Sequence, residues 1–164
     1  MIRRRAAYAA AILIVAFASL PLFGSAHETA AVMVTAAAKG TLPSGTTYKG
    51  VPLSGLRFGA GVEIPGDTSA TGEFQATLLG TSTGGQPQNI IVEGEVSSGS
   101  ASNGTATFSG VGSVDMGDGT PVSKGVLFTV TITPDAQGKG TMVLKLVTTS
   151  LPIATVNEGS MTIQ

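Results

Sequence analysis

The sequence predicts an all-β protein of about eight antiparallel strands, mostly in meander order. Three observations predict it. Apolar and polar residues alternate with a period of two along most of the chain after residue 50, the spacing of a half-buried strand. Gly, Pro, Asn and Asp clusters interrupt that alternation at short intervals, and short connections suit antiparallel rather than parallel neighbours. After residue 38 no stretch carries the 3.6-residue period of a long amphipathic helix.

Each element is justified in turn. Ala31 to Ala37 is read as a strand rather than a short helix, because Val32 and Val34 alternate and no helix cap precedes them. Leu53 to Ile64 follows. In Gly72 to Leu78, Phe74, Ala76 and Leu78 share one face. In Asn89 to Val96 the inward set is Ile90, Val92, Gly94 and Val96. Thr105 to Met116 places Ala106, Phe108, Gly110, Gly112, Val114 and Met116 on one side. Val126, Phe128, Val130 and Ile132 alternate with Leu127, Thr129, Thr131 and Thr133. Met142, Leu144 and Leu146 define the next strand, and Ser160 to Gln164 the last. Breaks are expected at Pro65-Gly66-Asp67, at Gly84 to Pro87, over Ser97 to Gly104, at Gly117 to Pro121, at Pro134-Asp135 with Gly138, and at Leu151-Pro152.

Inward glycines on a long strand let it bend and coil around a core. Gly110 and Gly112 therefore favour a closed or nearly closed barrel over a two-sheet sandwich. The hairpin of residues 72–79 with 89–96 has two registers that keep its apolar faces together. One sets Glu73 opposite Glu95, a like-charge pair. The other sets Gln75 opposite Glu95, Thr77 opposite Glu93 and Phe74 opposite Val96, and is the one expected.

The N-terminus reads as an export signal. Arg3, Arg4 and Arg5 precede an uncharged apolar run from Ala6 to Phe23, and Gly24-Ser25-Ala26 supplies the small residues a signal peptidase requires. Cleavage before His27 leaves residues 27–164 as a single domain with a secreted or periplasmic destination, no remaining membrane span and a net charge of −4. An uncleaved anchor is the competing reading, since the run just reaches the length of a spanning helix.

Composition excludes several chemistries. There is no Cys and one His, so disulfides, thiolate sites and two-histidine metal sites are absent by count. A chain with nine basic and ten acidic residues is a poor match for nucleic acid. His27 alone cannot build a histidine brace. Asp115 and Asp118, within Asp-Met-Gly-Asp-Gly-Thr, suggest a calcium loop but miss the EF-hand spacing. Asp67, in the similar turn after Ile64, should lie at the opposite end of the sheet. Glu93 and Glu95 share a strand face about 7 Å apart, a spacing of glycosidase carboxylates. The aromatic residues that would grip a sugar are assigned to the core instead. No Gly-x-Ser-x-Gly or Ser-x-x-Lys motif is present. Gly59-Ala60-Gly61 lacks a following helix to cradle phosphate and reads as strand glycine.

The expectation is an exported, non-enzymatic β-domain acting as an extracellular or envelope binding or structural module. It has no assigned catalytic, cofactor or metal residues. Its partner is a protein or envelope component, and an edge strand is the candidate surface for a homodimer. The alternatives are a carrier holding a small hydrophobic ligand inside a barrel, and a cyclase- or isomerase-like barrel enzyme.

Overall fold

The computed structural model describes residues 30–66 and 68–164. The segment read as an export signal, with the cleavage expected before His27, lies outside the described residues, as does Asp67. The strands are β1 (Val32–Thr41), β2 (Thr47–Tyr48), β3 (Val51–Ile64), β4 (Ser69–Gly80), β5 (Ile90–Ser102), β6 (Thr105–Asp115), β7 (Ser123–Pro134), β8 (Gly140–Leu146), β9 (Thr149–Ser150) and β10 (Ala154–Ile163). All pairings are antiparallel. From β3 to β8 each long strand pairs with the next in sequence. β10 then joins β8 to β1, and β1 pairs with β3, so eight strands close in a ring. The closed ladder fits a barrel and a flattened sandwich alike.

The Ala-rich stretch is a strand from Val32 to Thr41, as expected, rather than a helix: Val34 and Ala36 are buried and β1 pairs along ten residues with β3. The inward sets follow the alternation. Phe58, Phe74, Ala76, Leu78, Ile90, Val92, Ala106, Phe108, Phe128, Val130, Ile132, Met142 and Leu144 are buried. Tyr48, on the short β2, joins them. Thr46 is the buried polar residue among those described, and its hydroxyl donates to the Pro43 carbonyl at 2.7 Å.

Several boundaries differ from expectation: β4 begins at Ser69 and β7 at Ser123, each three residues early. The break expected over Ser97 to Gly104 narrows to its last two residues. β5 runs on to Ser102 and turns at Asn103-Gly104, which have φ of 51° and 73°. Two consecutive positive φ values are what a type I′ hairpin needs, and Asn-Gly is the pair that adopts them at least cost. The serines before it are ordinary strand residues with exposed alternate positions. The last strand begins at Ala154 rather than Ser160, because Ala154 and Val156 complete the seam with β8.

The register of β4 with β5 is also corrected. Glu73 faces Glu95, Gln75 faces Glu93, and Phe74 faces Gly94. The interior decides it. The Phe74 ring stacks on Phe128 with centroids 5.5 Å apart and meets Phe108 edge-on at 6.0 Å. A Cβ at Gly94 would stand 2.5 Å from Phe128 Cε1, so the strand needs glycine where the rings cross. In the expected register Phe74 would face Val96. Burying a phenylalanine contributes about 1.5–3 kcal/mol, whereas a cross-strand pair is worth about 0.2–1 kcal/mol. Core packing outweighs repulsion between exposed carboxylates.

Candidate functional site

Phe74 on β4 and Phe128 on β7 are three strands apart around the ring, yet their rings touch. The walls therefore meet across the interior at this level. A Cβ at Gly110 would strike the Glu95 carbonyl and approach Phe128 Cζ at 2.9 Å, and one at Gly112 would strike the Glu93 carbonyl. The volume that these small residues leave is taken by aromatic rings and neighbouring backbone. A concavity suited to a partner lies instead on the outer face.

That outer groove has a volume of about 800 Å³ and crosses β3 to β7. Two cross-strand rows build it. One runs Gly61, Glu73, Glu95 and Val111, with Leu127 next to it beyond the groove; the other runs Gly59, Gln75, Glu93, Ser113, Lys124. The strand period of two puts these side chains outward because Phe58, Phe74, Val92 and Phe128 point inward, and a bulge at Gly125 turns Lys124 outward against that period. Glycine makes the β3 end shallow. Three exposed carboxylates occupy the middle, and Val111, 47% exposed, is the apolar side chain of the far end. Leu127, 60% exposed, stands opposite it and, with Val147, lines a smaller neighbouring concavity; the Val147 backbone N–H donates to the Leu127 carbonyl at 2.8 Å.

The charge of the groove is mostly negative, three carboxylates against Lys124 at the β7 end. Among the described residues the ion pair is Lys39 Nζ with Glu158 Oε1 at 2.7 Å, away from the groove. Glu73, Glu93 and Glu95 have no cation within ion-pairing distance among the described residues. Opposed side chains on adjacent strands have Cβ atoms about 5 Å apart, so Glu73 and Glu95 repel directly. The arrangement suits a cationic group docking from outside.

The remaining sequence candidates are placed as follows. Glu93 and Glu95 do share a face, and the corrected register brings Glu73 into the same set. Asp115 Oδ1 accepts the Gly117 N–H at 2.9 Å, and Asp118 Oδ1 accepts the Thr120 N–H at 2.9 Å and its hydroxyl at 2.6 Å. These are Asx-type contacts that hold the β6–β7 turn. The Thr120 bonds also hold the Asp118 carboxyl below its ordinary value. Among the described residues no group of three His, Asp or Glu is placed to hold a metal ion. Thr129, Thr131 and Thr133 form a hydroxyl ladder with Ser109, Thr107 and Thr105 at 2.9–3.1 Å. The contributions of Gly59 and Gly61 escaped sequence reasoning. Strand parity already placed the two glycines outward, and that was the available signal.

No family model, curated protein or solved structure matches this chain.

Proposed function

We propose that the protein is an exported, non-enzymatic binding or structural module that engages its partner through the outer face of its strand ring. The observation that carries this reading is the aromatic filling of the interior. Phe74, Phe108 and Phe128 are 2%, 0% and 2% exposed and occupy the space that an internal cargo would need. The groove over β3 to β7 offers carboxylates and apolar side chains to something larger arriving from solvent. Arg3 to Arg5, the apolar run and Gly24-Ser25-Ala26 support export with cleavage before His27.

Native mass spectrometry of the protein from the exported fraction of its own cells tests the reading. The expected mass is that of the bare chain beginning at His27. A small molecule retained under gentle ionisation would replace the module by a carrier. Turnover of a substrate that is lost in Glu93→Gln/Glu95→Gln would replace it by an enzyme.

A further inference from the structure

Gly59 and Gly61 lie on the outward face in the middle of β3, the longest strand. Several other glycines of the sheet have no room for a side chain, and Gly125 is held at a positive φ of 70°. A Cβ at Gly72, Gly110, Gly112 or Gly159 would strike the backbone of a neighbouring strand. Gly61 differs. Nothing lies within 4 Å of its would-be Cβ, and neither Gly59 nor Gly61 has a positive φ. At Gly59 the nearest atom is Gln75 Nε2 at 3.5 Å, an ordinary contact. The single chain therefore does not require glycine at either position. Glycine inside a strand costs about 0.5–1 kcal/mol relative to alanine, and it often marks where a ligand or another backbone comes close. Ala37 stands opposite Gly59, so the bare floor continues onto β1.

Charge on the two sides of this floor indicates the occupant. On one side Lys39 stands directly opposite Arg57, with Lys139 nearby and Glu158 among them. On the other side Glu73 stands directly opposite Glu95, with Glu93 beside them. The Glu73–Glu95 pair is a like-charge contact that costs stability in the isolated chain, while on the basic side Glu158 pairs with Lys39 and leaves the Arg57 and Lys139 charges without a salt bridge among the described residues. A twofold interface buries the same patch on both copies, so the patch must carry its own complement. This face carries both signs on either side of a flat centre. A cationic peptide from elsewhere would engage only the acidic side.

We propose that the outer face of β1, β3, β4 and β5 pairs with the same face of a second copy of this chain. The twofold axis passes through the Gly59–Gly61 floor. Arg57 and Lys39 of each copy then meet Glu73 and Glu95 of the other, and the bare floors let the two sheets approach closely. The pairing uses a sheet face rather than a strand edge. It rests on the reading of the protein as a module that binds through its outer surface.

Sedimentation equilibrium of the protein as its cells export it, from about 1 to 100 µM, tests the pairing. The average mass should rise from one chain to two, and added salt should shift it back. Arg57→Glu should weaken association about tenfold or more, and Arg57→Glu combined with Glu73→Arg should restore it. Gly61→Thr should abolish association while leaving the melting temperature of the single chain equal or higher, since the fold has room for the side chain. A one-chain mass across the whole range would overturn the proposal. So would association that both Arg57→Glu and Gly61→Thr leave intact in folded protein, checked by circular dichroism. Failure here is distinct from failure of the module reading, which a bound small molecule or turnover would reveal whatever the mass of the assembly.

Discussion

Val147 shows how much a single residue can depart from the rules of its neighbours. It begins the two-residue loop between β8 and β9 with φ of 54°. Type II′ hairpins give that position to glycine, and a β-branched residue there is an outlier. Strain of this kind costs about 1–3 kcal/mol, and with 56% of the residue exposed little burial offsets it. Val147→Gly should raise the melting temperature by a few degrees in a thermal scan. No gain would show that contact with Leu127 offsets the strain. Glu158 makes a second residue-scale point. Its hydrogen bond to Lys39, and then the Lys39 charge, hold its carboxyl below the ordinary glutamate range. A depressed carboxylate adds stability above its unfolded value and loses it as pH falls through the folded one. In an NMR titration Lys39→Met should move the Glu158 midpoint upward, toward an unpaired glutamate.

At the scale of elements, the β4–β5 hairpin sets two demands against each other. The outward face prefers Glu73 away from Glu95, and the inward face requires Phe74 over Gly94. The inward face wins because ring stacking is buried and carboxylate repulsion is screened. Glu95→Gln should therefore stabilise the dilute single chain by a few tenths of a kcal/mol, on the scale of a cross-strand pair. The gain should shrink in high salt, read as the difference in melting temperature between low and high ionic strength. An equal gain at both would assign the effect to something other than charge. The β5–β6 hairpin carries a plainer lesson. Asn103-Gly104 is the strongest short hairpin signal, and it was legible in the sequence. The surrounding serines and glycines masked it, because their composition is also that of a loop.

Across the whole molecule, the ring is not equally strong all the way round. β3 and β4 pair at ten positions, whereas β8 and β10 pair at three, Ala154 with Met142, Thr155 with Thr141 and Val156 with Gly140. Sub-global opening starts where few ladder bonds close a structure. Native-state hydrogen exchange should find the amides of Thr155 and Val156 less protected than those of Leu56 to Ala60 on β3. Equal protection would mean that the ring opens only as a unit.

The eight long strands, most of their inward faces and the antiparallel order of β3 to β8 were determined by the sequence alone, while the two-residue β2 and β9 were not. Period-two alternation is a local property, and it reports directly which side of a strand avoids water. That is why Phe74, Phe108, Phe128 and Ile132 could be assigned inward before any partner strand was known. The absence of cysteine and of histidine pairs was likewise a matter of counting. Register and closure were decided only in three dimensions. Whether Phe74 faces Gly94 or Val96 depends on Phe128, three strands away around the ring. Whether β1 meets β3 and β10 at once depends on how far the whole sheet coils. The outer groove belongs to the same class. Its carboxylates lie on neighbouring strands and its glycine floor on another, so no window of sequence contains it. Two glycines that look alike in sequence, Gly61 and Gly112, separate only when the space around each is known. One is crowded by the Glu93 carbonyl, and the other faces open solvent.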